Sequence, residues 1–295
     1  MLRTLPSPWL FLAYNFCAFA LQMPIGLLAD ILDKNHSFSL CGIFLVLLSL
    51  FPSPTVLRVI LIGTGNACYH VGGGRNALMA DKHMIRLGIF VSPGALGICF
   101  GSLLCKNLFL FYIAAVLLGL TALYICIFCK DRYSVKSTGK AKPSPLILML
   151  SVVILRSALG LSMQTPWKVG IYIILAGISS AVGKALGGWL ADHFGGKRTG
   201  AFTLLVSAIL FCFPDSGVVG IIAILLFNMT MPITLRKASD ALPGMEGFAF
   251  GILTFGLFLG YLPSFLGISF PWWLCSAMTI LSALLMWLSE ERDNA

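Results

Sequence analysis

Two basic side chains stand in the middle of long apolar runs: Arg156 within 145–164 and Lys184 within 169–191. A charge held at the centre of a bilayer costs about 2.5–3.5 kcal/mol or more unless it faces a polar cavity, so such residues mark solute pathways and coupling sites. Each also has a plain alternative, with Arg156 bridging backbone carbonyls at a helix break and Lys184 snorkelling toward an aqueous face. Gln22, Asn66, His70 and Asn228 are the uncharged polar groups in comparable positions. Any of them could touch a solute or simply make an interhelical hydrogen bond. His70 adds an imidazole that exchanges a proton near neutral pH.

All eleven acidic residues fall in connections or near the ends of apolar runs. A proton-coupled carrier needs a buried group that titrates, which leaves three readings open. His70 does that work, a carboxylate from outside this sequence does it, or the solute is an anion drawn by Arg156 and Lys184.

Enzymatic constellations are missing from the sequence. It has no HExxH, no GxSxG and no glycine-rich loop ending in Lys-Ser/Thr, and its histidines at 36, 70, 83 and 193 lie far apart. Cys126 and Cys129 form a CxxC with no second pair, so no metal or redox centre is expected. Gly72, Gly73 and Gly74 lie deep in an apolar run and serve close helix packing, while the acceptor-like Asn228-Met-Thr is buried in hydrocarbon. No enzyme and no cofactor are expected.

The elements that must hold these groups are membrane helices. The chain is 58% hydrophobic and only 11% charged, a composition whose solvent is lipid. With roughly 20 apolar residues per span, the sequence predicts eleven spans, near 9–30, 38–54, 56–80, 86–104, 107–129, 145–164, 169–191, 200–214, 216–235, 246–267 and 270–288. The net charge of +9 is spread in short clusters between these runs, which argues for membrane topology and against nucleic-acid binding. Alternate connections hold fourteen of the twenty basic residues and the opposite set only Arg3, Arg58, Lys106 and Lys168, which puts the C-terminus in the cytoplasm. The run continuing past Ala18-Phe19-Ala20 weighs against a cleaved signal peptide. The polar stretch 130–144 reads as a cytoplasmic linker between bundles at 1–129 and 145–295.

A shift of 162 residues aligns Gly26-Leu-Leu-Ala-Asp30 with Gly188-Trp-Leu-Ala-Asp192, Asn66 with Asn228, Arg75 with Lys237 and Gln22 with Lys184. One more residue aligns Gly88, Ile89, Leu96 and Gly97 with Gly251, Ile252, Leu259 and Gly260. The halves are parallel repeats.

This GxLxD pattern with trailing basic residues resembles the cytoplasmic loop motif of the major facilitator superfamily. The second copy, Gly188 through Asp192, Gly195, Lys197 and Arg198, matches well. The first, Gly26 through Asp30 and Lys34, has Ile31 where the family usually has Arg and Asp33 where it has Gly. Gly88, Pro93, Gly94 and Gly97 resemble the helix-bending motif of the family's exporters, and the wording around Tyr69-His70 is similar to fosmidomycin-resistance-type drug exporters.

The resemblance implies an all-α polytopic membrane protein of the major facilitator fold, with two pseudo-symmetric bundles split five and six. Its register implies that the first helix of the first half is missing from this sequence, the alternative being an eleven-span variant of the fold. It further implies a secondary transporter in the cytoplasmic membrane working by alternating access, expected to be a monomeric, proton-coupled exporter of a small organic solute. The alternatives are a non-transporting scaffold and an uptake carrier for a small anion. In this family the motif aspartates dock on helix starts in the opposite half, Asp30 near Gly247 and Asp192 near Leu87.

Overall fold

The computed structural model describes residues 7–104, 107–129, 131 and 139–289. Most of the expected linker falls outside them. Among the described residues the chain forms eleven helical rods: α1 Pro8–Leu32, α2 Asn35–Leu48, α3 Thr55–Ala80, α4 Met84–Leu104, α5 Leu108–Phe128, α6 Pro143–Ser162, α7 Ile171–Phe194, α8 Gly196–Leu210, α9 Gly217–Ala241, α10 Glu246–Phe265 and α11 Trp272–Leu288. They correspond one for one to the expected spans. Seven of the rods meet both the length and the hydropathy needed to cross a bilayer, while α2 and α11 are shorter apolar helices. Whole faces are apolar and exposed: Val116, Leu117, Leu120 and Leu123 on α5 are all more than half exposed. Only lipid accepts such a surface, since helices satisfy their own backbone hydrogen bonds. The chain is a multi-pass membrane protein.

Two rods are interrupted, each near a proline. In α1, Phe16–Ala20 is wound as a π-helix, with the amide of Leu21 bonded to the carbonyl of Phe16. Pro24 follows and has no N–H to offer the carbonyl of Ala20, one turn back. In α9 the ladder breaks at Met229. Pro232 there leaves the Asn228 carbonyl without its usual donor.

The chain forms two compact units that cut across the sequence halves. One contains residues 1–81, 100–140 and 242–258; the other contains 82–99, 141–241 and 259–295. The first half of α10 therefore packs with the front of the chain, and most of α4 packs with the back. In the second unit, Leu159, Leu204, Phe211, Ala223, Phe227, Cys275 and Ala283 make a contiguous core from α6, α8, α9 and α11. The first unit is built on small residues. Ala18, Ala29, Ala67 and Val71 are fully buried, and a methyl on Gly42, Gly65 or Gly72 would strike the neighbouring helix.

The unit structures reproduce the repeat in detail. Gly26 abuts the carbonyl of Gly247, and Gly188 abuts that of Met84. Gly251 abuts the carbonyl of Gln22, and Gly88 that of Lys184. These crossings are related by the same offsets that align the sequences.

One placement differs from the sequence expectation. Arg75, one of the fourteen basic residues that the sequence assigns to alternate connections, lies inside α3 with 0% exposure. A guanidinium is tolerated at that depth because it pairs with the carboxylates of Asp30 and Asp33 and donates to Asn35.

Candidate functional site: two carboxylate latches and a pair of buried cations

The last turn of α1 carries Asp30. Its Oδ1 accepts the amide of Gly247 at 2.8 Å and its Oδ2 accepts that of Phe248 at 2.7 Å. These are the first amides of α10, which lack intrahelical partners and sit at the positive end of the helix dipole. Asp192, in the last turn of α7, does the same for α4: Oδ1 accepts from Met84 at 2.7 Å and Oδ2 from Ile85 at 3.0 Å. Glycines make the approach possible, since any side chain at Gly26 or Gly188 would collide with the backbone being clasped. Both docking partners fall within a few residues of where the family resemblance puts them.

The two latches are backed differently. Arg75 aims three nitrogens at the first: Nε at Asp30 Oδ1, 2.7 Å; Nη2 at Asp33 Oδ1, 2.7 Å; and Nη1 at Asn35 Oδ1, 2.5 Å. Asn35 is itself pinned by a 2.8 Å bond to Asn76. Asp33 adopts φ 54°, the left-handed conformation that ends a helix and favours glycine but admits Asp. Its counterpart 162 residues on, Gly195, has φ 85°. The two helix ends differ in ψ, 38° at Asp33 and 139° at Gly195, and Asp33 adds a carboxylate for Arg75. Behind the second latch, among the described residues, only His83 approaches Asp192, at 3.8 Å, and His83 is 69% exposed.

Lys34, Lys197 and Arg198, the other expected latch residues, do not touch either aspartate. Lys34 sits at the start of α2, and Lys197 lies 4.3 Å above the ring of Trp287.

The buried cations belong to the second unit. Arg156 is 9% exposed, and its guanidinium carbon lies 5.0 Å above the ring of Phe227 on α9. Its Nε is buried without a hydrogen-bond partner, and no carboxylate reaches the side chain among the described residues. Lys184 donates to the carbonyl of Val91 on α4 at 3.3 Å. The helices that carry them pack on one α9 turn, 225–229: Gly183 and Gly187, flanking Lys184, press against the carbonyls of Leu225 and Met229, and Arg156 lies over Phe227. Ser92 ties α4 to α7 by donating to the carbonyl of Ala181 at 2.8 Å.

In the first unit, Gln22 and Asn66 come together. Both donate to the carbonyl of Ala18 in the π-helical turn, at 2.6 and 3.3 Å. Gln22 is 1% exposed and its Oε1 has no donor. Asn228 donates to the Ile224 carbonyl of its own helix at 2.8 Å. His70 is half-buried, edge-on to Tyr69 with 5.9 Å between ring centres. Within the expected helix-bending motif, Gly88 is in tight backbone contact, whereas Gly94 and Gly97 face open space and Pro93 lies inside α4. Sequence reasoning missed Asn35, Asn76 and Asp33. The signal available was the polar spacing Asp30, Asp33, Asn35 opposite an arginine at the end of an apolar run.

No protein-family model and no curated protein sequence matches the chain. Its architecture does match solved structures. The E. coli fucose:proton symporter superposes with a TM-score of 0.69 at 14% identity, over 94% of this chain and 88% of that one. The chain has the major facilitator fold. The human organic anion transporter MFSD10 matches with a TM-score of 0.68 at 14% identity, over 96% of this chain and 82% of that one. A bacterial homologue of the iron transporter ferroportin matches at 0.62 and 13%, over 96% and 90%. At such identities the likeness concerns the fold. Within the major facilitator fold, both latches occupy ends of helices that the sequence repeat relates.

Proposed function

We propose that this protein is a secondary active transporter that moves a small organic solute across the cytoplasmic membrane by alternating access. The observation that carries this reading is the pair of carboxylate latches. Each joins a helix of one sequence half to the first amides of a helix in the other, through hydrogen bonds that water can replace. Charge-assisted bonds of this kind contribute roughly 1.5–3 kcal/mol each, enough to bias two arrangements of a bistable element yet weak enough to release. The segments 1–129 and 145–295 are the moving bundles in this reading.

Export in exchange for protons is the direction we favour. It rests on the resemblance of the Gly88, Pro93, Gly94, Gly97 run to the exporters' motif and on His70 as the group that could pass a proton. The excess of Lys and Arg in alternate connections supports a cytoplasmic C-terminus. The test is solute counterflow in proteoliposomes with a panel of labelled solutes, comparing the wild type with Asp30→Asn and Asp192→Asn. Solute-dependent exchange that both substitutions slow is the expected result. Exchange absent for every solute, with external labelling of engineered cysteines unchanged by any of them, would refute transport.

A further inference from the structure

Among the described residues, no carboxylate pairs with Arg156 or Lys184. Two buried cations whose helices pack on one α9 turn are costly in a low-dielectric interior, and natural interiors neutralise such charges with carboxylates. Here, among the described residues, the acids nearest in sequence are Asp131 and Asp192, and both are committed elsewhere: Asp131 accepts the amide of His36, and Asp192 holds α4. What surrounds the pair is aromatic or already bonded. Phe227 offers Arg156 a ring face, which leaves the in-plane N–H groups of the guanidinium available to acceptors. Lys184 spends one of its three protons on Val91. The positions are also held rigidly: Gly183, Gly187 and Gly88 lock the backbone around Lys184 on two sides, and Phe227 belongs to the unit's core. A rigid, uncompensated pair of this kind is stored electrostatic energy that a bound oxyanion releases.

We infer that Arg156 and Lys184 are the receptor for the negatively charged head of the transported solute, a small organic anion bearing a carboxylate or phosphoryl group. Arg156 supplies planar donors matched to two oxygens, and Lys184 supplies a point charge to the same head. The inference rests on the transport reading for the word "transported", but the site is testable without any flux.

The experiment is thermal unfolding of the purified full chain in detergent with four probes that share one ring: benzoate, phenylphosphonate, benzyl alcohol and benzylamine. The two anions are expected to raise the melting temperature of the wild type, and the alcohol and the amine to leave it unchanged. Arg156→Gln should abolish the rise and Lys184→Gln reduce it, while Lys142→Gln, in the connection before α6, keeps it. Without probe, Arg156→Gln should melt at or above the wild type, because a buried unpaired charge has been removed. The inference is overturned if neither anion protects more than benzyl alcohol, if protection survives in both glutamine variants, or if probe-free Arg156→Gln melts well below the wild type and Arg156→Lys restores it, which is the pattern of a structural arginine. Anion protection with no counterflow would sink the transport reading alone. Counterflow of an uncharged solute without anion protection would sink this inference alone.

Discussion

Arg75 and Asp30 form a buried ion pair with Nε and Oδ1 2.7 Å apart, and the same carboxylate oxygen accepts the amide of Gly247. Arg75 therefore does not merely neutralise Asp30; it sets the orientation in which Asp30 can cap α10. Removing one partner of a buried pair leaves an uncompensated charge and costs about 3–5 kcal/mol. Here the uncompensated charge is that of Asp30, whose side chain is 5% exposed. Arg75→Met is expected to lower the unfolding temperature of the purified protein strongly. Arg75→Lys should recover only part, because an ammonium cannot serve three acceptors in one plane. Equal melting of Arg75→Lys and wild type would show that charge alone matters at this position.

The unequal backing of the latches separates the two aspartates. Asp192→Asn keeps one acceptor oxygen for Met84 or Ile85 and strands no arginine, so the protein should insert normally, melt within about 1–2 kcal/mol of wild type and lose transport rate. Asp30→Asn disturbs the Arg75 network as well and should be clearly less stable. Measuring membrane insertion, melting and counterflow for both variants checks this order. Poor insertion of Asp192→Asn would make that residue structural.

The sequence shows most of the fold and only part of the site, for a physical reason. Apolar runs of bilayer length have one stable outcome, so eleven runs became eleven rods, with ends shifted by a few residues where short polar stretches wound into the helix, as at Asn35 and Gly196. The repeat was legible because backbone contacts constrain residue type: Gly26, Gly188, Gly88 and Gly251 all sit where no side chain fits. Side-chain pairing was less legible. Arg75 resembles any basic residue near a span end, and only the packing of α3 against the α1–α2 turn reveals that it is enclosed by Asp30, Asp33 and Asn35. The sequence marked Arg156 and Lys184 separately as ionisable groups within spans. Their sharing of one α9 turn depends on Gly183 and Gly187 and has no signature in spacing.

Glycines that look alike in the sequence motif of α4 should respond differently to mutation. A methyl at Gly88 would strike the carbonyl of Lys184, and one at Gly251 the carbonyl of Gln22, whereas Gly94 and Gly97 meet nothing within 4 Å. Gly94→Ala and Gly97→Ala should then be neutral or slightly stabilising, since alanine is favoured over glycine in a helix by roughly 0.5–1 kcal/mol. Gly88→Ala and Gly251→Ala should force the crossing helices apart and impair both stability and transport. Expression, melting and counterflow of the four variants decide it. If Gly94→Ala abolishes transport without loss of stability, that position bends during the cycle.

Gln22 occupies the place in the first repeat that Lys184 holds in the second, and its Oε1 is a buried acceptor with no donor. Leaving such an atom unsatisfied costs about 1–3 kcal/mol, more than the roughly 0.5–1.5 kcal/mol that one net hydrogen bond returns. The Ala18 carbonyl that Gln22 serves would still be held by Asn66. Gln22→Leu, of similar volume, should therefore melt at or above the wild-type temperature. If the oxygen is retained because it accepts a bond from the solute, the same variant should raise the KM of counterflow while the purified protein stays as stable as before. A sharp drop in melting temperature would instead assign Gln22 to the packing of the π-helical turn in α1.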